Sequence, residues 1–307
     1  MSFSRPLLVL GLILCGSGAW AAPDLSGLVR RGQYRLAVNK ALALLARDPD
    51  DADLYAVLGV SWSKAGYFPD AAGAFPLSLG SAYYEDQGIE AEADQLRAMG
   101  RGREAAALRV QRLLDPSLNL GREVRVWLGM VDDLRAAGDL NGALDVVAMC
   151  LAIYPASPMV HATVADVHLD AGDREEADTE LILADSLGAT MRGHVVHART
   201  ALLDGDLDQA ALWLDDARMF QNRTRRLAAL RAEVLRRQGD PAGAEELLEQ
   251  PNWVRSEDPE IVAVRILVHT DLGDRAGAED WARLGREVYA DNPEVSAALA
   301  YMAQRLP

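Results

Sequence analysis

Eight pairs of a glycine followed five residues later by an alanine form a regular ladder along this chain, and this ladder constrains the fold more than any other feature. Successive glycines are 34, 34, 38, 34, 33, 34 and 34 residues apart. A regular period of this length is typical of solenoids, in which one supersecondary unit is stacked repeatedly. The pairs are Gly32/Ala37, Gly66/Ala71, Gly100/Ala105, Gly138/Ala143, Gly172/Ala177, Gly205/Ala210, Gly239/Ala244 and Gly273/Ala278.

One unit is predicted to be a helical hairpin. The glycine favours the left-handed conformation that ends a first helix, and the alanine permits close approach of the second. Small residues recur seven positions before the glycine, on the packing face of the first helix, at Gly59, Ala93, Ala165, Ala198 and Ala232. A larger core residue follows nine positions after it, at Phe75, Val147, Leu181, Leu214 and Leu248. Aspartates that can cap the second helix directly follow five glycines, at Asp139, Asp173, Asp206, Asp240 and Asp274.

This unit resembles the tetratricopeptide repeat, which is about 34 residues long and combines small residues with a late proline. The best single match is YAVLGVSWSKAGYFPDAAGAF, from Tyr55 to Phe75. The third unit departs most from the pattern, because Arg109 stands where an apolar residue is expected. The resemblance implies an all-α, right-handed solenoid of about eight helix-turn-helix repeats with a C-terminal capping helix.

The ladder also predicts the limits of the units. Leu25 and Leu28 are expected to face the stack from a short first helix capped by Asp24. The four extra residues of the 38-residue step are expected in the connection at Asp115–Ser117. Each unit is expected to contact only its neighbours, so the solenoid needs no linker. The repeats are placed near residues 24–51, 52–85, 86–121, 124–157, 158–190, 191–224, 225–258 and 259–292, with the capping helix at 293–307.

Residues 1–21 have the three parts of a secretory signal: Arg5, an apolar run from Leu7 to Leu14, and the small-x-small site Ala19-Trp20-Ala21. The run is far shorter than the roughly 20 residues that span a bilayer. We therefore expect cleavage near Ala21 and a mature solenoid, residues 22–307, in the periplasm or outside the cell. The alternative is an outer-membrane lipoprotein attached through Cys15, although Leu14 is not the small residue that lipidation favours.

The net charge and the missing catalytic motifs exclude several classes of function. A formal charge of −15 argues against nucleic acid, which needs a concentrated basic surface, and against an anionic membrane surface. The sequence contains no Gly-Lys phosphate loop, His-Glu-x-x-His, Cys-x-x-Cys or Gly-x-Ser-x-Gly motif. We predict that the protein is not an enzyme, uses no cofactor and binds a protein or peptide partner.

The register of the first helices predicts which side chains line a concave groove. Arginines and carboxylates are close to balance there, so the groove should be positive relative to the rest of an acidic chain. Ala162, Val195, Ala229 and Ala263 lie between them, and the lysine by which some members of the family grip a C-terminal carboxylate is missing at these positions. Such a groove suits an extended or helical peptide with apolar anchors and acidic groups. The charged candidates are Arg125, Asp132, Arg135, Asp166, Asp170, Arg192, Arg199, Arg226, Glu233, Arg236 and Arg237.

Histidines on neighbouring predicted helices offer an alternative function. His161 and His168 lie seven residues apart on one helix, and His194 and His197 lie three apart on the next. Four imidazoles could hold a metal ion, as in a metal-binding or metal-delivery protein. The same positions are packing positions of the repeat, and we favour that role for them. Cys150 occupies a small-residue position and is expected to be buried.

The leading hypothesis is a periplasmic interaction scaffold that assists the assembly or operation of a cell-envelope complex. Export, an uninterrupted binding solenoid and the lack of a catalytic motif support it. A pilus, a secretion system, a polysaccharide exporter and a cytochrome maturation complex are candidates by analogy with exported members of the family.

Overall fold

The computed structural model describes residues 25–114, 120–220, 225–250 and 256–306. Within these ranges the chain is all-helical, with no strand, and no described helix is both long and apolar enough to span a membrane. The predicted signal segment, the Asp24 cap and the Asp115–Ser117 connection lie outside these ranges. The all-α solenoid predicted from the sequence is confirmed.

Seventeen α-helices follow one another as eight hairpins and a final single helix in the described residues. A 3₁₀ turn at Phe75–Leu77 and a π-helical turn at Tyr84–Gly88 connect the second hairpin to the third. The helices are α1 (Leu25–Arg30), α2 (Tyr34–Leu45), α3 (Ala52–Ala65), α4 (Phe68–Ala74), α5 (Ile89–Ala98), α6 (Gly102–Leu113), α7 (Leu120–Ala136), α8 (Leu140–Ile153), α9 (Pro158–Ala171), α10 (Arg174–Leu187), α11 (Met191–Asp204), α12 (Leu207–Phe220), α13 (Arg225–Arg237), α14 (Pro241–Leu248), α15 (Pro259–Asp271), α16 (Arg275–Val288) and α17 (Pro293–Arg305).

The glycine–alanine ladder has the structural role that its spacing predicts. All eight ladder glycines adopt φ between 70° and 84°, the left-handed region in which a β-carbon would be strained. All eight ladder alanines are 0% exposed, because each lies where the two helices of a hairpin meet. At Gly59 an added β-carbon would lie 2.6 Å from Cε1 of Phe75. The small residue seven positions before the glycine is therefore required by close helix packing.

Four of the five predicted aspartate caps are present. Asp139, Asp206, Asp240 and Asp274 accept backbone hydrogen bonds from the first turn of the second helix, at 2.8–3.1 Å. The prediction for Asp173 is wrong: its side chain makes no capping hydrogen bond. It lies instead 3.5 Å from Nδ1 of His168, one turn back in the preceding helix.

At each end of the described stack, a terminal helix packs its apolar face against the neighbouring helices. Leu25 and Leu28 of α1 are buried against α2 and α3, as predicted. At the other end Val295, Ala298 and Met302 of α17 pack against α15 and α16, which confirms the capping helix.

The 38-residue step also lengthens a helix, since α7 has 17 residues and begins at Leu120, whereas α9 has 14. Cys150 is fully buried, and burial raises the pKa of its thiol to about 11.

The expectation that each unit contacts only its neighbours is wrong. The solenoid curves until its N-terminal hairpins meet its C-terminal ones. Arg225 at the start of α13 donates to the carbonyl oxygens of Ser63 (3.2 Å) and Lys64 (2.7 Å) at the end of α3. Asn292 Nδ2, just before α17, donates to the carbonyl oxygen of Ala98 at 3.2 Å. The superhelix is therefore closed into a ring.

The closing contact also has an apolar part. Phe68 of α4 is 2% exposed and belongs to the core formed by α15, α16 and α17. Met99, at the end of α5, packs against the same core. The guanidinium of Arg225 lies 5.5 Å from the centroid of the Phe68 ring and forms a 2.7 Å ion pair with Asp258. Ring closure therefore combines burial, a cation–π contact and hydrogen bonds to helix ends.

Candidate functional site

The closed superhelix encloses a central groove lined mainly by the first helices of the hairpins. Its cavity has a volume of about 790 Å³. Side chains of α5, α7, α9, α11, α13 and α15 form the wall, and Phe68 and the first turn of α17 complete it. Seven arginines and seven acidic residues line the groove, so its formal charge is balanced although the chain carries −15.

Asp166 is the centre of an ion-pair network in this groove. Its side chain is 1% exposed and is contacted by three guanidinium groups: Arg135 Nη1 at 2.6 Å, Arg199 Nη1, and Arg226 Nη2 at 3.5 Å. The arginines belong to α7, α11 and α13, and Asp166 belongs to α9. The pairs therefore bind four first helices together from the inside. Removing one partner of such a buried pair typically costs about 3–5 kcal/mol.

Two further carboxylates extend this network. Asp170 receives Arg135 Nε at 2.7 Å and Arg199 Nη2 at 2.8 Å. Asp132 forms an ion pair with Arg135 at 3.3 Å. It also accepts hydrogen bonds from Nη1 of Arg192, at 3.1 Å, and from Nη2 of the same side chain. Burial would raise the pKa of Asp132, but Arg192 and Arg135 outweigh it and hold that pKa well below the usual range. Asp132 is therefore held as a paired carboxylate.

A second network lies towards the C-terminal end of the groove. Glu233 receives Arg236 Nε at 2.8 Å and Arg237 Nε at 2.6 Å. Arg236 also pairs with Asp271 at 2.6 Å, and the hydroxyl of Tyr301 donates to the same carboxylate at 2.6 Å. Ten of the eleven charges that the sequence placed in the groove thus belong to the two networks.

A third network was not predicted from the sequence. Arg109, the residue that breaks the repeat pattern, is 3% exposed and reaches Asp133 at 2.7 Å and Asp94 at 2.5 Å. Arg97 pairs with the same two carboxylates at 3.0 and 3.1 Å. The only available signal was Arg109 itself, because a charge at a core position requires a buried partner. The repeat register did not identify that partner.

A few polar groups remain available to a ligand. Arg226 is 37% exposed, and its one ion pair with a described residue is the 3.5 Å contact with Asp166; its charge also acts to lower the pKa of Glu260 and of Glu294. Glu260 and Glu294 line the groove, and neither side chain has an ion pair with a described residue. Burial, followed by the charges of Glu294 and Asp258, raises the pKa of Glu260 to about 8. Arg125 does not join this set, because it is exposed on α7 and does not line the cavity.

The four histidines contact carboxylates, a backbone carbonyl or aromatic rings, and His194 and His197 share Trp213 as a neighbour. His161 is hydrogen-bonded to Glu180 at 2.6 Å and to the carbonyl oxygen of Pro155 at 2.9 Å, and His168 lies beside Asp173. His197 stacks on the Trp213 ring at 4.3 Å between centroids and reaches Asp185 at 2.9 Å. His194 lies 5.4 Å from Trp213 and 5.3 Å from Phe220. Among the described residues no group of three or more His, Cys, Asp or Glu side chains is placed to hold a metal ion.

The chemistry of the groove is that of a preorganised binding surface. Its arginines are held in place by the chain's own carboxylates, while the half-buried side chains of Leu230 and Leu267 line the groove between them. A ligand can use these apolar patches and the few free charges without ordering long side chains, which reduces the entropic cost of binding. That the charged candidates contact a partner stays a prediction.

Comparison with known proteins supports the fold. No protein-family model matches the chain, and no curated protein matches it. A chain of the APC/C hetero-tetramer Cut9–Hcn1 matches with a TM-score of 0.50 and 14% identity, over 91% of this chain and 54% of that one. This chain thus spans about half the length of that protein. A tetratricopeptide repeat protein from Parabacteroides merdae matches with a TM-score of 0.50 and 12% identity, over 82% of this chain and 98% of that one. At this identity the likeness concerns the fold alone, and the chain has the fold of a tetratricopeptide-repeat solenoid.

Proposed function

We propose that this protein is a non-catalytic interaction scaffold that holds a segment of a protein partner in its central groove. The observation that carries the proposal is the 790 Å³ cavity, whose wall combines fixed ion pairs with half-buried leucines. Concave surfaces of stacked helical repeats are extended binding surfaces. The charge balance of the groove suits a segment that has apolar anchors and charges of both signs.

Arg226, Glu260 and Glu294 define how such a segment would be oriented. Its acidic groups would be received at Arg226, and a basic group would be received between Glu260 and Glu294. A cation at that position would offset the burial and repulsion that raise the pKa of Glu260. The apolar anchors would lie on Ala229, Leu230 and their neighbours in α15.

We further propose that the scaffold acts outside the cytoplasm, with a pilus, secretion, polysaccharide-export or cytochrome-maturation complex. The support is the secretory pattern of residues 1–21. N-terminal sequencing of the mature protein tests the location: a start near Ala22 supports a cleaved signal, a start at Cys15 supports a lipoprotein, and an intact Met1 contradicts export.

Site-specific photocrosslinking in the native host tests the groove. A photoreactive residue replaces Glu294 or Arg237, which line the groove and are exposed. The same residue at Arg275, exposed on α16 and outside the groove, is the control. We expect a discrete protein adduct at both groove positions and none at Arg275. Adducts at all three positions, or at none, would contradict binding in the groove.

A further inference from the structure

The second helices of three successive hairpins carry a large share of the negative charge of the chain, and eight of their nine carboxylates lie on α10 and α12. Helices α8, α10 and α12 together carry nine carboxylates and only two arginines. Both arginines are already paired, Arg174 with Asp178 and Asp204, and Arg218 with Asp215. These three helices, 14 residues each, therefore account for nearly half of the net charge of −15. The groove, by contrast, is neutral.

The same three helices expose apolar side chains at matching positions. Counted from each ladder glycine, positions +7, +11 and +15 lie on one face of the second helix. We call these nine positions the outer face. All nine are exposed, and six are apolar, each 41–60% exposed. The outer face consists of Asp145, Met149 and Ile153 on α8, Thr179, Leu183 and Leu187 on α10, and Leu212, Asp216 and Phe220 on α12.

Among the described residues, no other hairpin has more than one large exposed apolar side chain at these positions, the single one being Leu77 in the second hairpin. The first hairpin has Asn39, Ala43 and Arg47 at the same positions, and the seventh has Glu246 and Gln250 at the first two. In the eighth hairpin Leu284 and Val288 are partly buried in the core formed with α17. Large exposed apolar side chains at matching positions of consecutive helices are not required by the repeat, and clusters of them mark interaction surfaces.

We propose that the outer face docks a basic amphipathic helix of a partner protein, separately from the segment held in the groove. The apolar side of that helix would cover Met149, Leu183, Leu187 and Phe220. Its lysines or arginines would meet carboxylates that have no ion pair with any described residue, among them Asp145, Glu176 and Asp216. An amphipathic helix on an apolar surface bordered by complementary charge is a common recognition mode.

Charge selects this occupant over two others. A second copy of the chain in a two-fold dimer would bring the same acidic face against itself, and like charges in contact are repulsive. An anionic membrane surface attracts basic segments and repels this one. A cationic, amphipathic helix would bury the exposed leucines and would also place positive charge beside the excess carboxylates.

Fluorescence anisotropy with a synthetic probe tests the proposal. The probe is an 18-residue labelled peptide of leucine and lysine with one continuous apolar face. Two comparison peptides have the same composition in scrambled order, or glutamate in place of lysine. The outer-face variant is Leu183→Ser/Leu187→Ser. The matched control is Leu36→Ser/Leu42→Ser on α2, whose leucines are 44% and 46% exposed, against 41% and 42% for the tested pair.

We expect the amphipathic lysine peptide to bind the wild-type protein and the Leu36/Leu42 control with affinities equal within twofold. The Leu183/Leu187 variant should bind about tenfold more weakly, because two half-exposed leucines lose their contact. Asp145→Asn/Asp216→Asn should reduce the salt dependence of binding. The glutamate and scrambled peptides should bind at least tenfold more weakly than the probe.

Three results would overturn the inference. The first is equal binding of the probe by wild type and the Leu183/Leu187 variant. The second is weaker binding in Glu260→Gln/Glu294→Gln but not in the outer-face variant, which would place the probe in the groove. The third is a dimer in sedimentation that the Leu183/Leu187 substitutions dissociate, which would assign the face to a second copy. If the groove positions gave no crosslink while the probe still bound to the outer face, only the binding of a partner in the groove would be contradicted.

Discussion

The guanidinium of Arg109 occupies space that a single glycine leaves open. An added β-carbon at Gly129 of α7 would lie 2.5 Å from Cζ of Arg109, and that guanidinium is held by Asp133 and Asp94. Because the side chain cannot move away without breaking both ion pairs, Gly129→Ala should destabilise the protein by about 1–3 kcal/mol. Chemical denaturation measures the change.

Gly73→Ala is the matched control for this substitution. Gly73 also lies inside a helix, α4, but nothing lies within 4 Å of its added β-carbon. Its substitution should be neutral or stabilise by up to about 1 kcal/mol through helix propensity. Equal effects of the two alanines on the free energy of unfolding would show that Gly129 does not serve to accommodate Arg109.

Glu260 should make the stability depend on pH in a defined window. Its pKa is about 8 in the folded protein against 4.5 when unperturbed, so the folded state keeps a proton that the unfolded state has released. The stabilisation from this group is thus fully present below pH 4.5 and is lost as the pH rises to about 8. Glu260→Gln should therefore become more stable relative to wild type as the pH rises from 5 to 8, by about 1–2 kcal/mol.

Melting temperatures of both proteins between pH 5 and pH 9 measure this effect. Glu246→Gln, at an exposed position of α14, is the control and should follow wild type throughout. A Glu260→Gln curve parallel to wild type over the whole range would show that Glu260 titrates normally in the groove.

At the scale of the single helix, the aspartates after the ladder glycines differ in a way that sequence alone does not show. Asp240 accepts from the backbone nitrogen of Gly243 at 2.8 Å, whereas Asp173 makes no cap. Asp240→Ala should cost about 0.5–2 kcal/mol in the free energy of unfolding. Asp173→Ala should cost less than about 0.5 kcal/mol, since it loses only an exposed contact with His168. Equal losses in urea denaturation would contradict this assignment of caps.

These two aspartates also show how far the sequence predicts the elements. The glycine turn and the buried alanine follow from backbone sterics and close packing, so a spacing of five residues was enough to predict every hairpin. The cap at Asp173 was mispredicted, and the nearby His168 does not explain it, because Asp274 caps its helix although His269 lies 2.9 Å from its carboxylate. Glu233 pairs with Arg236 and Arg237 within one helix. The charges around Asp166 instead pair between helices, as Arg135 and Asp166 do across 31 residues, and the pattern of one repeat does not contain such contacts.

The whole molecule differs from an open solenoid because its ends meet, and this contact joins residues up to 194 positions apart. Repeat periodicity describes neighbours only, so it could not predict the closure. The small change in direction at each hairpin accumulates along the stack until α3, α4 and α5 reach α13, α15 and α17. The ring fixes the width of the groove, and opening it would change access for a partner.

Two side chains hold the polar part of this closure, which allows it to be tested. Arg225→Ala/Asn292→Asp removes the hydrogen bonds to Ser63, Lys64 and Ala98 and the ion pair with Asp258, while a carboxylate at position 292 can still cap α17. Charged hydrogen bonds each contribute about 1.5–3 kcal/mol, so the open form should become at least tenfold more populated. Small-angle X-ray scattering should then show a larger radius of gyration and maximum dimension than wild type, with the helical circular dichroism unchanged. Arg286→Ala/Ser296→Ala removes an arginine and a polar side chain whose bonds, to Glu279 and Ala290, are local, and its scattering should match wild type. If the Arg225/Asn292 variant scatters as wild type does, burial of Phe68 and Met99 alone is enough to keep the ring closed.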